Sequence, residues 1–244
     1  MLKNHLTALI FSVAIILFGL TLANAIKNRN RSQNTISVTG LGTKDFTSDL
    51  IVWSGGFAKK EYNLKVAYSA LDKDREILRK YLINEGIADS AIVFSAVTIN
   101  KDFSSDYNES TRNTVTVFTG YNLSQNVTVE SKDVNKVEAI SRRVSEIINS
   151  GVEFYSNYPE YYYTKLAELK VEMIAEATKD ARARAEKIAQ NAGSSIGELK
   201  NASMGVFQIT GQNSSEDYSW GGVYNTTSKN KTAAITIKLD YEID

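Results

Sequence analysis

The residues best suited to recognition chemistry lie in the segment YSNYPEYYY, residues 155–163, which holds five tyrosines in nine residues. Tyrosine rings stack on sugars and nucleobases and also sit at membrane interfaces, so such a cluster can form a binding surface. Alternatively, some of these rings lie with Leu166 at helical spacing and pack on a sheet or on another subunit. The candidate binding residues are Tyr155, Tyr158, Tyr161, Tyr162 and Tyr163.

Two glycines, Gly40 and Gly42, give the stretch ISVTGLGTKDFTSDL at residues 36–50 some likeness to a phosphate-binding loop. A dinucleotide-binding loop needs a third glycine three residues after the second, at the start of a helix. That position is Asp45, and strand-forming residues follow it. No Gly-Lys-Ser/Thr triplet follows at P-loop spacing either. The glycines therefore predict a turn between two strands.

The composition excludes two large catalytic classes. The chain has no cysteine, and its single histidine, His5, precedes the folded part of the chain. A chain that starts after the N-terminal segment therefore has no thiolate nucleophile, no cysteine metal site and no imidazole acid or base. A pair of carboxylates can hydrolyse glycosides without histidine, but no pair stands out. The sequence predicts no catalytic residue, no metal site and no cofactor.

The N-terminal residues 6–25, LTALIFSVAIILFGLTLANA, carry no charge and predict a signal peptide or a membrane anchor. Ala23 and Ala25 form the A-x-A pattern that signal peptidases cut. The three cations in KNRNR, residues 27–31, instead favour a cytoplasmic location for the C-terminal side of the segment. We expect export to the periplasm or another extracytoplasmic compartment, with or without a tether to the inner membrane. The predicted parts are a signal peptide or anchor at 1–25, a tether at 26–34 and a folded domain at 35–244.

The charge of the predicted domain is balanced. The whole chain has 28 Lys and Arg against 28 Asp and Glu, and Lys3 is the only one of these before residue 26. A nearly neutral domain has no general attraction for nucleic acid or anionic lipid. We therefore expect no nucleic-acid partner, and any membrane association would come through residues 6–25.

Hydrophobic periodicity predicts an α+β fold, with about three helices packed on a mixed or antiparallel sheet. Gly86, Gly151 and Gly193 mark the predicted helix ends. The order strand, helix, glycine, β-branched residue occurs twice and is consistent with an internal repeat. The predicted strands are 35–40, 48–57, 91–99, 114–130, 196–210 and 232–243. The predicted helices are 63–86, 133–149 and about 159–193, and the predicted polar loops are 101–113 and 211–231.

The third predicted helix is the longest. At about 1.5 Å per residue it would extend roughly 50 Å, farther than one small sheet covers, so we expect part of it to pack on a neighbouring subunit. Asp180 with Arg184, and Arg182 with Glu186, predict ion pairs on a solvated face. Small residues recur every four positions on the other side and predict close packing. They are Ala177, Ala181, Ala185 and Ala189.

Two stretches together resemble the SIMPL domain family, which includes bacterial periplasmic and outer-membrane antigen proteins. The first is ISVTGLG after an export signal, and the second is ATKDARARAEKIAQNAGSSIGEL, residues 177–199. One departure is Ser48-Asp49, where many relatives have Pro-Asp, and it affects only the start of the second strand. The residues that fit the family pattern are Ile36, Val38, Gly40, Gly42, Ala177, Asp180, Ala181, Arg182, Ala185, Glu186, Ala189, Gly193 and Gly197.

The resemblance implies an α+β fold, export and, as in some relatives, assembly into ring-like or channel-like homo-oligomers. Members of the family have been linked to envelope integrity and oxidative-stress tolerance, without an established activity or cofactor. Our leading hypothesis is a non-enzymatic, self-assembling envelope protein that acts as a scaffold or stress-protective factor. The alternatives are a module that binds glycan, lipid or peptide through the tyrosines and residues 211–231, and a carboxylate-based hydrolase.

Overall fold

A computed structural model of the protein describes residues 12–23, 25, 35–108 and 113–243. These residues form antiparallel sheets that are covered by helices, which confirms the predicted α+β class. The strands are β1 (Thr35–Thr47), β2 (Leu50–Glu61), β3 (Ile92–Phe94), β4 (Thr98–Asn108), β5 (Asn113–Ser131), β6 (Phe154–Ser156), β7 (Glu160–Tyr162), β8 (Ile196–Met204), β9 (Gln208–Gly211) and β10 (Asn230–Ile243). The helices are α1 (12–23), α2 (Leu64–Asn84), α3 (Val134–Arg143) and α4 (Leu166–Asn191).

Sheet A joins the two ends of the folded chain. In it β10 lies between β1 and β8 and also pairs with β9. Helix α4 packs on one face of this sheet, and its predicted alanine stripe is buried along the whole contact. The predicted ion pairs of the helix also form, with Arg184 Nε 2.9 Å from Asp180 Oδ2 and Arg182 Nε 2.8 Å from Glu186 Oε1.

The glycine pair lies inside β1, so the predicted turn at Gly40 and Gly42 is wrong. Both glycines face α4, and the helix approaches too closely for a side chain. A Cβ atom on Gly40 would lie 2.1 Å from the carbonyl oxygen of Ala177, and one on Gly42 would lie 2.5 Å from that of Met173. Glycines on the strand and alanines on the helix therefore meet in one close contact, and the chain turns only at residues 48–49.

Sheet B contains the middle of the chain. Its order is β3-β5-β2-β6, with β4 also on β5 and β7 also on β2. Helices α2 and α3 cover one face, over a core that includes the fully buried Trp53 and Phe57. In the successions β2-α2-β3 and β5-α3-β6, the two strands lie on either side of a third, as in a split βαβ unit. These units correspond to the twofold pattern in the sequence; a duplication remains a prediction.

The chain crosses from sheet A to sheet B at residues 48–49 and returns after β7. The two crossings are bonded to each other, since the Asp49 carboxylate accepts hydrogen bonds from the backbone N–H and the hydroxyl of Thr164, both at 2.7 Å. All buried residues of the two cores lie between residues 38 and 241. A chain that starts at residue 26 therefore keeps both cores.

Helices α2, α3 and α4 correspond to the three predicted for the folded domain, with the predicted period but not all of the predicted bounds. Helix α2 begins after the N-cap Asn63, whose side chain accepts hydrogen bonds from the N–H groups of residues 65 and 66. Helix α3 is shorter than predicted, because residues 144–150 continue it as a 3₁₀ helix. Gly86, Gly151 and Gly193, at or just after helix ends, have positive φ values, as predicted for helix termination.

The start of α4 was predicted wrongly. The helix begins at Leu166 rather than near Pro159, so its 26 residues extend about 39 Å instead of about 50 Å. Its buried residues run from Leu169 to Ala189, almost from end to end. The length of this helix therefore gives no reason to place a neighbouring subunit on it.

The predicted loop at residues 101–113 is also wrong over its described part. Residues 101–108 belong to β4, which pairs with β5 as far as Asn108 opposite Asn113. Strand β2 accompanies β5 only from Tyr121 onward, so β4 and residues 113–120 of β5 form a two-stranded extension. We call residues 102–120 the ribbon; residues 109–112 within this range lie outside the described part.

The apolar N-terminal segment is described only in part. Residues 12–23 form α1, and every one of them is exposed. Within the described residues, no helix combines the length and the apolar character that a bilayer crossing requires. Residues 1–11, 24 and 26–34, to which the predicted signal peptide or anchor and the tether extend, lie outside the described residues.

Candidate functional site

The tyrosine segment lies where the two sheets meet, and it is extended rather than helical. Strand β6 pairs with residues 55–57 of β2, and β7 pairs with residues 50–52. The N–H of Tyr161 also donates to the carbonyl oxygen of Thr226 at 2.7 Å. These backbone bonds hold the segment as strands, so the interpretation of Tyr158, Tyr161 and Tyr162 as one helix face is wrong.

Three of the five tyrosines are structural. Tyr161 is 7% exposed, and its hydroxyl lies 3.1 Å from Glu138 Oε1. Tyr163 packs on Phe46 of sheet A, with 4.7 Å between the ring centroids. Tyr162 donates its hydroxyl proton to Glu160 Oε2 at 2.8 Å. Tyr161 therefore belongs to the core of sheet B, and Tyr163 joins the segment to sheet A.

The other two tyrosines are accessible. Tyr155 is about half exposed, and its hydroxyl is 3.1 Å from Asn126 Oδ1. Tyr158 is 96% exposed and precedes Pro159 in the link between β6 and β7. Of the five candidate residues, Tyr158 therefore presents the most accessible ring to a ligand or partner.

A carboxylate beneath these rings connects the two sheets electrostatically. Glu138, on α3, accepts hydrogen bonds from Lys229 at 2.8 Å, from Arg142 at 2.8 Å and from Tyr161. Lys229 lies just before β10, so this contact crosses from sheet B to sheet A. The Lys229 hydrogen bond is the main reason that the pKa of Glu138 is lowered. Burial raises the pKa of Tyr161, and the charge of Glu138 raises it further.

Glu138, Arg142 and Tyr161 line a cleft of about 740 Å³, which we call the junction cleft. Its walls carry hydroxyl, amide and guanidinium groups together with one exposed ring. Such a set suits a polar ligand that stacks on tyrosine and accepts hydrogen bonds. The lining residues are Glu138, Ser141, Arg142, Ser156, Asn157, Tyr158, Pro159, Tyr161 and Thr227.

Glu138, the carboxylate among the described residues that line the junction cleft, does not suit the role of a general acid. A glycosidase acid needs a raised pKa so that it stays protonated until it donates, whereas the pKa of Glu138 is lowered. In the part of the chain that the structure describes, no cluster of three or more Asp, Glu, His or Cys side chains is placed to bind a metal ion. The arrangement can bind and orient a polar group.

Sequence reasoning identified Tyr158 but missed Glu138 and Arg142, which line the cleft, and Lys229, which pairs with Glu138. Glu138 and Lys229 are 91 residues apart, and neither stands out in its own segment. Arg142 lies four residues after Glu138 on α3, a spacing that does indicate an ion pair. No local pattern could show that a lysine before the last strand would meet them.

Sheets covered by helices, with a polar cleft at their junction, define a layered α+β protein without an evident catalytic constellation among its described residues. Within that class, the chain belongs to the SIMPL family, whose model, described as a protein of unknown function (DUF541), matches residues 36–238. The resemblance inferred from the two sequence stretches is thereby confirmed.

Comparison with curated proteins gave no match. Among solved structures, the chain is similar to one described as the structure of the B. subtilis GlnK-ATP complex. The identity is 14%, the match covers 44% of this chain and 83% of that one, and the TM-score is 0.26. A likeness at this level indicates neither a shared ligand nor a shared function.

Proposed function

We propose that this protein is a non-enzymatic, exported envelope protein that works by self-assembly, as a scaffold or a stress-protective factor. The observation that carries the proposal is the ribbon, which extends past the rest of sheet B and exposes large apolar side chains on both faces. Phe103 and Tyr107 project from one face, and Val115 and Val117 project from the other; all four are exposed.

A two-stranded ribbon is at best marginally stable in water by itself. Apolar residues on both of its faces add hydrophobic surface that stays exposed to water in a monomer. Contact with a second copy would cover these side chains and give the ribbon further packing partners. Self-assembly therefore accounts both for the composition of the ribbon and for its length.

Export is supported by the uncharged residues 6–25 and by the A-x-A pattern at Ala23 and Ala25. The SIMPL family includes bacterial periplasmic and outer-membrane antigen proteins, so membership of this family agrees with an envelope role. The poor fit of Glu138 to the role of a general acid favours a non-enzymatic protein over the hydrolase alternative.

Light scattering on residues 26–244 across a range of concentrations tests the proposal. We expect a defined multimer, and we expect Val115→Thr with Val117→Thr to lower its mass while the circular dichroism stays unchanged. Threonine keeps the β-branched shape and strand propensity but replaces a methyl group by a hydroxyl. Val93→Thr, at an exposed position on β3, is the matched control and should leave the mass unchanged. A monomer at every concentration would refute self-assembly.

A second candidate function is ligand binding at the junction cleft, favoured by the exposed Tyr158 beside Arg142. We propose a carboxylate-bearing glycan as the ligand, because the ring can stack on a sugar while the guanidinium binds an acid group. An oligogalacturonide titration followed by calorimetry should show binding that Tyr158→Ser and Arg142→Gln each abolish. No heat of binding to the wild type would reject this glycan class.

A further inference from the structure

A small apolar pocket lies on the face of sheet A opposite α4. Its floor includes Ala234 and Thr236 of β10, and Leu41 of β1 stands at its side. These positions alternate with residues that face α4, such as Gly40 and Ile237, so they point away from the helix. The pocket has a volume of about 330 Å³, and its remaining walls come from residues 205, 206, 208, 218–220 and 235.

The loop that closes this pocket is held in place by a buried amide. Gln208 on β9 is 7% exposed, and its Nε2 donates to the carbonyl oxygen of Ser219 at 2.7 Å. Its Oε1 accepts the N–H of Val223 at 2.9 Å. Because the side-chain amide binds backbone groups on both sides of the loop tip, the positions of residues 219–223 are fixed relative to the sheet.

The base of the same loop rests on a buried lysine. Lys231 is fully buried and donates to the carbonyl oxygens of Asn225, at 2.6 Å, and Ser228. Glu216 Oε2 accepts the N–H of Gly211 at 2.9 Å, and its other oxygen accepts the side-chain amide of Asn225. The polar segment 211–231 is therefore an ordered part of the fold, although its composition predicts only a loop.

This ordered loop presents Trp220 almost completely to solvent, at 99% exposure. Tyr218 and Val206 beside it are also exposed. An exposed indole on a fixed loop is typical of an interface anchor, because tryptophan contributes the most on burial and loses little conformational entropy when already positioned. With Leu41, these side chains line one apolar surface around the pocket, and exposed apolar surfaces of this kind mark interaction sites on soluble proteins.

We infer that this pocket receives Trp220 of a second copy of the chain, in a reciprocal contact. The indole and the pocket share one surface, as a two-fold contact requires, so each copy can supply one indole and one pocket. The volumes agree, since a cavity of about 150 Å³ accepts benzene and 330 Å³ leaves room for a two-ring indole. The apolar floor favours an aromatic side chain over a sugar or an ion.

This inference rests on the proposed self-assembly and specifies how it extends. A two-fold contact by itself stops at a dimer. The ribbon and the Trp220 pocket lie on different sheets, so two contacts can act together and link dimers into a larger closed assembly. Trp220 then completes a binding site that one copy leaves open.

The protein carries its own probe for this contact. It has two tryptophans, and Trp53 is fully buried in sheet B, whereas Trp220 is exposed. The fluorescence of the wild type minus that of Trp220→Phe isolates the second indole without disturbing the core. On assembly of residues 26–244, we expect this difference spectrum to shift to the blue and its acrylamide quenching to fall severalfold.

Variants separate the contact from the rest of the assembly. Val206→Glu places a charge at the pocket and should raise the midpoint concentration of assembly by at least about tenfold, as should Trp220→Ala. Val171→Glu, at an exposed position on α4, makes the same exchange on the other side of sheet A and should change nothing. Circular dichroism shows whether each variant is folded.

Three outcomes would overturn the inference, and each is distinguishable from the others. A multimer whose Trp220 stays fully quenchable would reject this contact and leave the proposed self-assembly standing. A monomer at all concentrations would reject both. A monomer whose Trp220 is already shielded would show that the indole occupies its own pocket.

Discussion

The charge of Glu138 connects the two sheets, and its effect on stability depends on pH. Its pKa is lowered in the folded protein, chiefly by the Lys229 hydrogen bond, and is about 4.3 in an unfolded chain. The stabilisation is therefore fully present above the unfolded value and is lost as the pH falls through the folded one. In urea denaturation between pH 7 and pH 2.5, we expect the wild type to lose stability across this range.

Glu138→Gln removes this dependence and should lower the free energy of unfolding at pH 7 by about 1–3 kcal/mol, because Lys229 loses a charged partner. The difference between variant and wild type should shrink as the pH falls. Glu176→Gln, on an exposed part of α4, is the control and should be nearly neutral. A constant difference at all pH values would contradict the assignment.

The tyrosine segment makes a second prediction at the scale of single residues. Tyr161→Ser removes a buried ring and leaves Glu138 with one donor fewer, so we expect a loss of about 3 kcal/mol or more. Tyr158→Ser changes an exposed ring and should stay within about 0.5 kcal/mol. Chemical denaturation of both variants measures the contrast; equal losses would mean that Tyr158 is also part of the core.

At the scale of elements, the close contact between β1 and α4 predicts that any side chain at Gly40 destabilises the fold. In Gly40→Ala the new Cβ would meet helix backbone, which cannot rotate away, so helix and strand must separate. We expect a loss of about 1–3 kcal/mol or more, read from thermal or urea unfolding. Gly221→Ala is the matched control, since nothing lies within 4 Å of its Cβ position. An unchanged stability of Gly40→Ala would mean that α4 can be displaced from the sheet at little cost in free energy.

The same contact shows what sequence reasoning can and cannot reach. The alanine stripe of α4 was predicted because its four-residue period is local, and the family pattern pointed to it as well. The glycines of β1 were assigned to a turn because the element that requires glycine there is α4. That helix lies more than a hundred residues away in the sequence. The helical interpretation of the tyrosine segment was wrong for a similar reason. Its tyrosines fall at helical spacing by chance, whereas the segment pairs with β2. Periodicity depends on residues that are close in the sequence, whereas the type and the ends of these elements depend on contacts with residues far away in the sequence.

At the scale of the whole molecule, the ribbon can be removed without touching either core. Lys101 and Tyr121 lie directly opposite each other, so an Asn-Gly turn can replace residues 102–120 and keep the register of β4 and β5. None of the described core residues falls in this range, although Phe118 gives up ring contacts with Tyr62 and Tyr121. The shortened protein should therefore fold with nearly the same melting temperature.

Assembly beyond the dimer should be lost, because the exposed apolar residues of the ribbon are gone. We expect the mass from light scattering to fall to that of a dimer held by Trp220 alone. In that dimer the difference fluorescence of Trp220 should remain blue-shifted, whereas the double variant that also carries Val206→Glu should be monomeric. An unchanged multimer would place the assembly contact elsewhere, and an unfolded product would make the ribbon part of the fold. The ribbon and the pocket thus make separable contributions, because they lie on separate sheets that are joined only through the junction and its crossings.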